Sequence, residues 1–180
     1  MLTAFLYLIS IVLCFVPIVF ILDVMLSGKS PLVTTPTHAR QYLKDNLNLN
    51  ENSVLYDLGC GTSSLLIKLS SSFPRSKIIG IDNSPFSYLI SKIRILLNRS
   101  RNISIEYKDF FNVNLSQATH IYLWIYVKDM DKLLDKFKSE LNTGTLVYSL
   151  DFPFSYKEPV ERINLGETHK FGHTLYIYEF

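Results

Sequence analysis

Val54 to Pro85 reads VLYDLGCGTSSLLIKLSSSFPRSKIIGIDNSP, and the fold turns on how this stretch is read. An apolar, β-type run from Ser53 to Tyr56 ends in Asp57. A turn containing Gly59 and Gly61 follows, then a helix-compatible run from Thr62 to about Ser72. The next apolar run, Lys77 to Ile81, ends in a second acid, Asp82. Strand, glycine turn, helix, strand and acid, in that order, form the pattern of a nucleotide-binding βαβ unit. Glycine is needed in such a turn because a side chain would hold the backbone away from a ligand. The helix start beyond it offers free N–H groups, and an acid about 20 residues on can accept ribose hydroxyls.

Two details choose among nucleotide ligands. A dinucleotide fingerprint needs a third glycine, where this chain continues Gly59-Cys60-Gly61 with Thr62-Ser63-Ser64. Asp57 also stands two residues before the first glycine. A carboxylate there repels a pyrophosphate and suits a cationic ligand with an amino-acid tail. The plainer reading is a βαβ unit whose glycines only make a turn. Two acids and two glycines in register favour the pocket.

DLGCG followed by GIDNS resembles motifs I and II of the class I S-adenosylmethionine methyltransferases. The resemblance implies S-adenosylmethionine as cofactor, with Asp57, Gly59, Cys60 and Gly61 on its methionine side and Asp82, next to Asn83, at the ribose. It also implies that Asp109, at the end of the third strand, meets the adenine amino group with Phe110 against the ring. The Thr62-Ser63 pair departs from the family's usual glycine or acid-glycine.

Upstream, Leu2 to Leu22 contains no charged residue. About 20 apolar residues suit one helical crossing of a bilayer, whereas a cleaved signal peptide wants a basic start and a small-residue cleavage site. The expectation is a transmembrane anchor over residues 1–26, a linker over 27–36 and one domain over 37–180, a division that 180 residues allow. Lys29, Arg40 and Lys44 follow the run and no Lys or Arg precedes it, which places the domain on the cytoplasmic side. Thr35 is expected to cap a helix that opens at Pro36, runs to about Leu47 and lies across the sheet edge beside the cofactor; a ligand contact by Thr34 and Thr35 is the alternative.

Downstream, Phe86 to Asn98 reads as a helix with apolar positions Tyr88, Leu89, Ile93, Leu96 and Leu97; its other side carries Lys92, Arg94, Arg99 and Arg101, a solvated face or else a basic cluster that meets acidic lipid headgroups or nucleic acid. Thr119 to Val127 reads as one buried parallel strand, Lys128 to Leu141 as a helix, and Gly144 to Leu150 as a strand. Glu161–Leu165 and His173–Phe180 read as an antiparallel pair. The fold class is therefore α/β: a doubly wound, mostly parallel, seven-stranded Rossmann-like sheet with a C-terminal antiparallel hairpin, preceded by one transmembrane helix.

No HExxH, CxxC or GxSxG occurs, so neither a metal site nor a covalent nucleophile is expected. A net charge of +2 gives no general signal for nucleic acid. Methyltransferases that act on adenine or glutamine amides carry an Asn/Asp-Pro-Pro-aromatic loop after strand four, where this chain has Trp124-Ile125-Tyr126. Trp124 and Tyr126 are candidates to wall a channel for an aliphatic amine, or else belong to the core.

A narrower resemblance rests on Val33-Thr34-Thr35-Pro36, DLGCG, Ser149-Leu150-Asp151-Phe152-Pro153-Phe154 and the position of the apolar run. Together these are similar to the small membrane-anchored protein-lysine methyltransferases that modify the ATP synthase c subunit and the adenine nucleotide translocase, and to their prokaryotic relatives. The resemblance implies transfer to a lysine of a protein near the membrane. A lipid, quinone or small-molecule methyltransferase, and a silent S-adenosylmethionine-binding module, stand as alternatives.

Overall fold

The computed structural model describes residues 34–166 and 171–180, together with scattered helical positions between Thr3 and Ile18. Thr34–Phe180 forms one compact unit, and Met1–Val33 is separate from it. Most of the apolar run and all of residues 19–33 lie outside the described residues. Among the described residues, no helix is long and apolar enough to cross a membrane.

The elements follow as α1 (Thr37–Asn46), β1 (Val54–Leu58), α2 (Ser64–Ser72), β2 (Lys77–Asp82), α3 (Pro85–Leu97), β3 (Ile103–Tyr107), β4 (His120–Leu123), α4 (Val127–Glu140), β5 (Leu146–Leu150), β6 (Glu161–Asn164) and β7 (Thr174–Glu179). They build a seven-stranded sheet in the order β3-β2-β1-β4-β5-β7-β6. Five strands run parallel, and β7 inserts antiparallel to both β5 and β6. Chain order reverses between β1 and β4, which opens a crevice at the carboxyl ends of those strands.

Strand alternation sends side chains to two cores. Tyr56, Leu58, Ile121 and Leu123 pack with Met130, Leu133 and Phe137 of α4. On the other face, Leu55, Ile78 and Tyr122 pack with Ala39 and Leu43 of α1 and with Leu65, Leu66 and Leu69 of α2. Gly80 is dictated by this second core. A Cβ there would stand 2.6 Å from Leu66 Cδ1 and 2.7 Å from both Cys60 Sγ and Ile105 Cδ1. Three buried neighbours would have to move together, so Gly80→Ala is expected to lower stability by about 1–3 kcal/mol in denaturant unfolding. An unchanged midpoint would show that the core has slack at that point.

Several expectations need correction. Thr35 caps nothing: α1 begins at Thr37 with Pro36 at its cap and no side-chain cap bond, while Thr35 Oγ1 lies 3.1 Å from the Tyr122 hydroxyl. α1 lies on a face of the sheet, where Ala39 and Leu43 are buried, not across an edge. β4 stops at Leu123, because its registers with β1 and β5 end at Leu58 and Ser149, so Trp124–Tyr126 leads out of the sheet into α4. The inward face of α3 is the largest surprise. It buries Ser87 and Ser91, while Leu89, Ile93, Leu96 and Leu97 are exposed.

Candidate functional site

The glycine turn is folded back over the end of β2. Gly59 N and Cys60 N both donate to Ile81 O, at 2.8 and 3.0 Å. Gly59 and Gly61 take φ of +83° and +53°, which an L side chain rarely adopts. Asp82 fixes the turn from β2: its Oδ2 accepts from Gly61 N at 2.8 Å and its Oδ1 from Ser84 N at 2.9 Å. One carboxylate therefore positions both the glycine turn and, through the Ser84 cap, the start of α3.

α3 supports the turn from the other side. Ser63, where the family favours glycine, is left-handed at φ +58° and fully buried. Its hydroxyl donates to Ser91 Oγ at 2.8 Å, and Ser91 donates onward to Gly61 O at 2.8 Å. Arg94 Nη1 donates to Thr62 O, Thr62 Oγ1 and Ser64 Oγ, at 2.8 to 3.0 Å. A non-glycine residue in this region costs about 1–2 kcal/mol, and this hydrogen-bonded net offsets it. Ser91 was missed in the sequence, and Arg94, read there as solvated, instead turns inward to Thr62 and Ser64. The available signal was a pair of small polar residues, Ser87 and Ser91, one turn apart on a helix otherwise rich in apolar residues.

Asp57 is 3 % exposed at the tip of β1, level with Gly80 on β2 and Tyr122 on β4. Burial first, and the nearby Asp82 second, push its carboxyl up to about 8. Burial likewise raises the Cys60 thiol, with Asp57 and Asp82 adding to the effect. The site is thus a low-dielectric corner with excess negative potential.

Lys108 N donates to Asp82 O at 3.1 Å, bringing the turn after β3 alongside. Asp109 Oδ1 accepts from Phe111 N at 2.9 Å, and Phe110 packs partly buried on the α4-side core. The first six cofactor candidates, Asp57, Gly59, Cys60, Gly61, Asp82 and Asn83, therefore share one corner, and Asp109 with Phe110 borders it. At the β4 exit, Ile125 Cγ2 would lie 3.7 Å from a Cβ at Gly59. Half-buried Trp124 donates from Nε1 to Asp151 Oδ2 at 3.1 Å. Tyr126 is different: it stands exposed at the cap of α4, with Lys128 Nζ 5.9 Å over its ring.

Asp151 was not singled out by itself, yet it ties three segments together. Its carboxylate also accepts from Gly172 N and His173 N, both at 2.8 Å. His38 Nε2 meets Gly172 O at 2.8 Å, closing the loop onto α1.

This donor set fits S-adenosylmethionine. Two carboxylates at the tips of adjacent strands flank a left-handed glycine turn, and the raised Asp57 carboxyl is a group that a cationic amine would ionise and pair with. Asp57 and the turn would hold the amino-acid end, and Asp82 the ribose. Bound there, the cofactor supplies a methyl group on a cationic sulfur that is already a good leaving group. What falls to the chain is to align an acceptor and exclude water.

Comparison with known proteins agrees. The family model described as the ANTKMT methyltransferase domain matches residues 57–161, more than half of the chain. A protein-lysine N-methyltransferase of Saccharolobus islandicus is 29% identical over 82% of this chain and 92% of its own length. A carboxy-S-adenosyl-L-methionine synthase of Helicobacter pylori is 31% identical over 56% of this chain, which spans only 43% of that protein. Among solved structures, an RNA methyltransferase from Salinibacter ruber in complex with S-adenosyl-L-homocysteine superposes with a TM-score of 0.74 at 23% identity, over 82% of this chain and 93% of that one. That last likeness is one of fold. The chain belongs to the ANTKMT methyltransferase domain family and is an S-adenosylmethionine-dependent methyltransferase.

Proposed function

We propose that this methyltransferase modifies the side-chain amine of a lysine in a membrane-associated protein, held at the bilayer by its N-terminal run with the catalytic domain on the cytoplasmic side. The observation that carries the reading is the β4 exit. Trp124 and Ile125 stand where amide and adenine methyltransferases place a polar Asn/Asp-Pro-Pro loop, and Asp151 holds the Trp124 indole. An aromatic and aliphatic wall suits an aliphatic amine, because partial desolvation favours the neutral nucleophilic form. The full-length likeness to a protein-lysine N-methyltransferase supports the same acceptor. For the anchor, support comes from the charge-free run Leu2 to Leu22 and from its described positions, which are helical with Tyr7, Ile11 and Phe15 exposed.

In the reaction, the acceptor nitrogen forms its bond to the methyl carbon as the carbon–sulfur bond breaks, and the methylated ammonium releases a proton to solvent. The test uses the full chain with radiolabelled S-adenosylmethionine and membranes from its own source, followed by hydrolysis of the protein fraction to amino acids. Label is expected in methylated lysine. Label recovered only in the lipid extract would overturn the reading in favour of a lipid or quinone acceptor.

A further inference from the structure

The outer face of α3 is the largest feature that the methyltransferase site leaves unexplained. Leu89, Ile93, Leu96 and Leu97 are 57, 45, 77 and 75 % exposed. Their spacing of four, seven and eight residues makes one stripe along the helix. Such a contiguous apolar stripe differs from scattered single hydrophobics and marks a surface that meets something. Exposed Tyr107, whose ring centre is 5.8 Å from that of Tyr88, extends the patch onto edge strand β3.

Its rim is basic. Lys92, Arg99 and Arg101 are exposed around the stripe, and no Asp or Glu occurs from Asn83 to Ile105. Arg94 is the exception, turned inward to Thr62 and Ser64. α3 also packs on the same sheet face as α1, the element that the N-terminal segment leads into: Tyr88 and Ile95 join the cluster that contains Ala39 and Leu43.

We propose that this face is a membrane-docking surface that rests on an anionic bilayer, with the leucines at the level of the acyl boundary and Lys92, Arg99 and Arg101 on acidic headgroups. Charge complementarity carries the choice of occupant. An amphipathic helix with an apolar stripe, a basic rim and no acid matches an interfacial helix. A second copy of the chain would set the same three cations against each other. The consequence is orientation. A domain held at one end only samples many directions, whereas one seated through α3 presents the glycine turn, which α3 itself supports, at a fixed tilt to substrates in the membrane. The inference does not depend on which amino acid or lipid accepts the methyl group.

The test uses the full chain, with Cys14→Ser and a single environment-sensitive fluorophore placed on Leu96→Cys or, as control, on Asp135→Cys, an exposed site on α4. Each protein is reconstituted into phosphatidylcholine vesicles with or without phosphatidylserine, using brominated acyl chains as quencher. Quenching at position 96 and not at 135, present with phosphatidylserine and weak without it, is expected. Arg99→Gln with Arg101→Gln should lower occupancy of the quenched state by roughly 30-fold, at about fivefold per lost cation. Equal quenching at 96 and 135 would overturn the proposal. So would protection of position 96 from aqueous iodide in detergent. Protection that fades on dilution would point to a second copy, and protection at all dilutions to the chain's own N-terminal segment.

Discussion

Asp57→Asn is expected to weaken cofactor binding by roughly 30-fold or more while raising the melting temperature of the ligand-free protein at pH 8. Both effects come from one displaced equilibrium. In the unfolded chain Asp57 loses its proton near pH 4, but in the folded protein burial and Asp82 hold it until about pH 8. Between those values the unfolded state has already ionised and the folded state has not. The stability contributed by this group is therefore fully present below about pH 4 and is lost as pH rises toward 8. Asparagine has the shape of the neutral acid and does not ionise. Its advantage should be about 1 kcal/mol at pH 5 and grow by about 1.4 kcal/mol per pH unit to several kcal/mol by pH 8, each kcal/mol being roughly 2–4 °C in melting temperature for a chain of this size.

Binding runs the other way. A cationic amine placed beside Asp57 pulls its proton off, so wild-type affinity for S-adenosylhomocysteine should rise with pH up to about 8, with proton release on binding near pH 7. Removing the charge opposite a desolvated cation costs about 2–5 kcal/mol, which is roughly 30-fold or more in dissociation constant. Calorimetry in two buffers of different ionisation enthalpy measures affinity and proton release together. Equal binding by the variant, with no proton release by the wild type, would remove Asp57 from the methionine side of the pocket.

The contrast between what was readable in the chain and what was not has a physical basis. β1, β2 and the glycine turn were legible because each is specified locally: apolar runs for buried parallel strands, glycines where φ is positive, an acid where a strand ends. The antiparallel close was legible from the alternation in Thr174–Tyr178, and β7 does pair with β5 and β6. The orientation of α3 was not. Periodicity says which residues share a stripe, but not whether that stripe faces the core or the outside. Here the inward face had to be small and polar, because Ser91 reaches the carbonyl of Gly61, thirty positions earlier and across β2. Thr35 failed as a cap for a similar reason, since its partner is Tyr122, 87 positions away. Contacts of that range leave no trace in local spacing.

Asp151→Ala is expected to be the most damaging single change outside the cofactor corner. Asp151 sits at φ +65°, a conformation in which Asp is tolerated far better than Ala. Its carboxylate accepts Gly172 N and His173 N at 2.8 Å and Trp124 Nε1 at 3.1 Å. Alanine would strand all three donors in a partly buried setting and add backbone strain, a loss of about 2–4 kcal/mol. Asn keeps the left-handed turn and one acceptor oxygen; placed at Oδ2 that oxygen still accepts both Gly172 N and the Trp124 indole, leaving His173 N to face the amide N–H, so Asp151→Asn should recover a good part of the stability. Trp124 is the only tryptophan in the chain, so intrinsic fluorescence reads this tie directly. In Asp151→Ala its emission should shift to the red and become more open to acrylamide, while Asp151→Asn should stay nearer the wild type. Transfer to substrate should fall further than cofactor affinity, because the β4 exit loosens while the Asp57–Asp82 corner stays in place. If Asp151→Ala leaves emission, quenching and turnover at wild-type values, Trp124 is held by packing alone and the carboxylate serves only the Gly172–His173 turn.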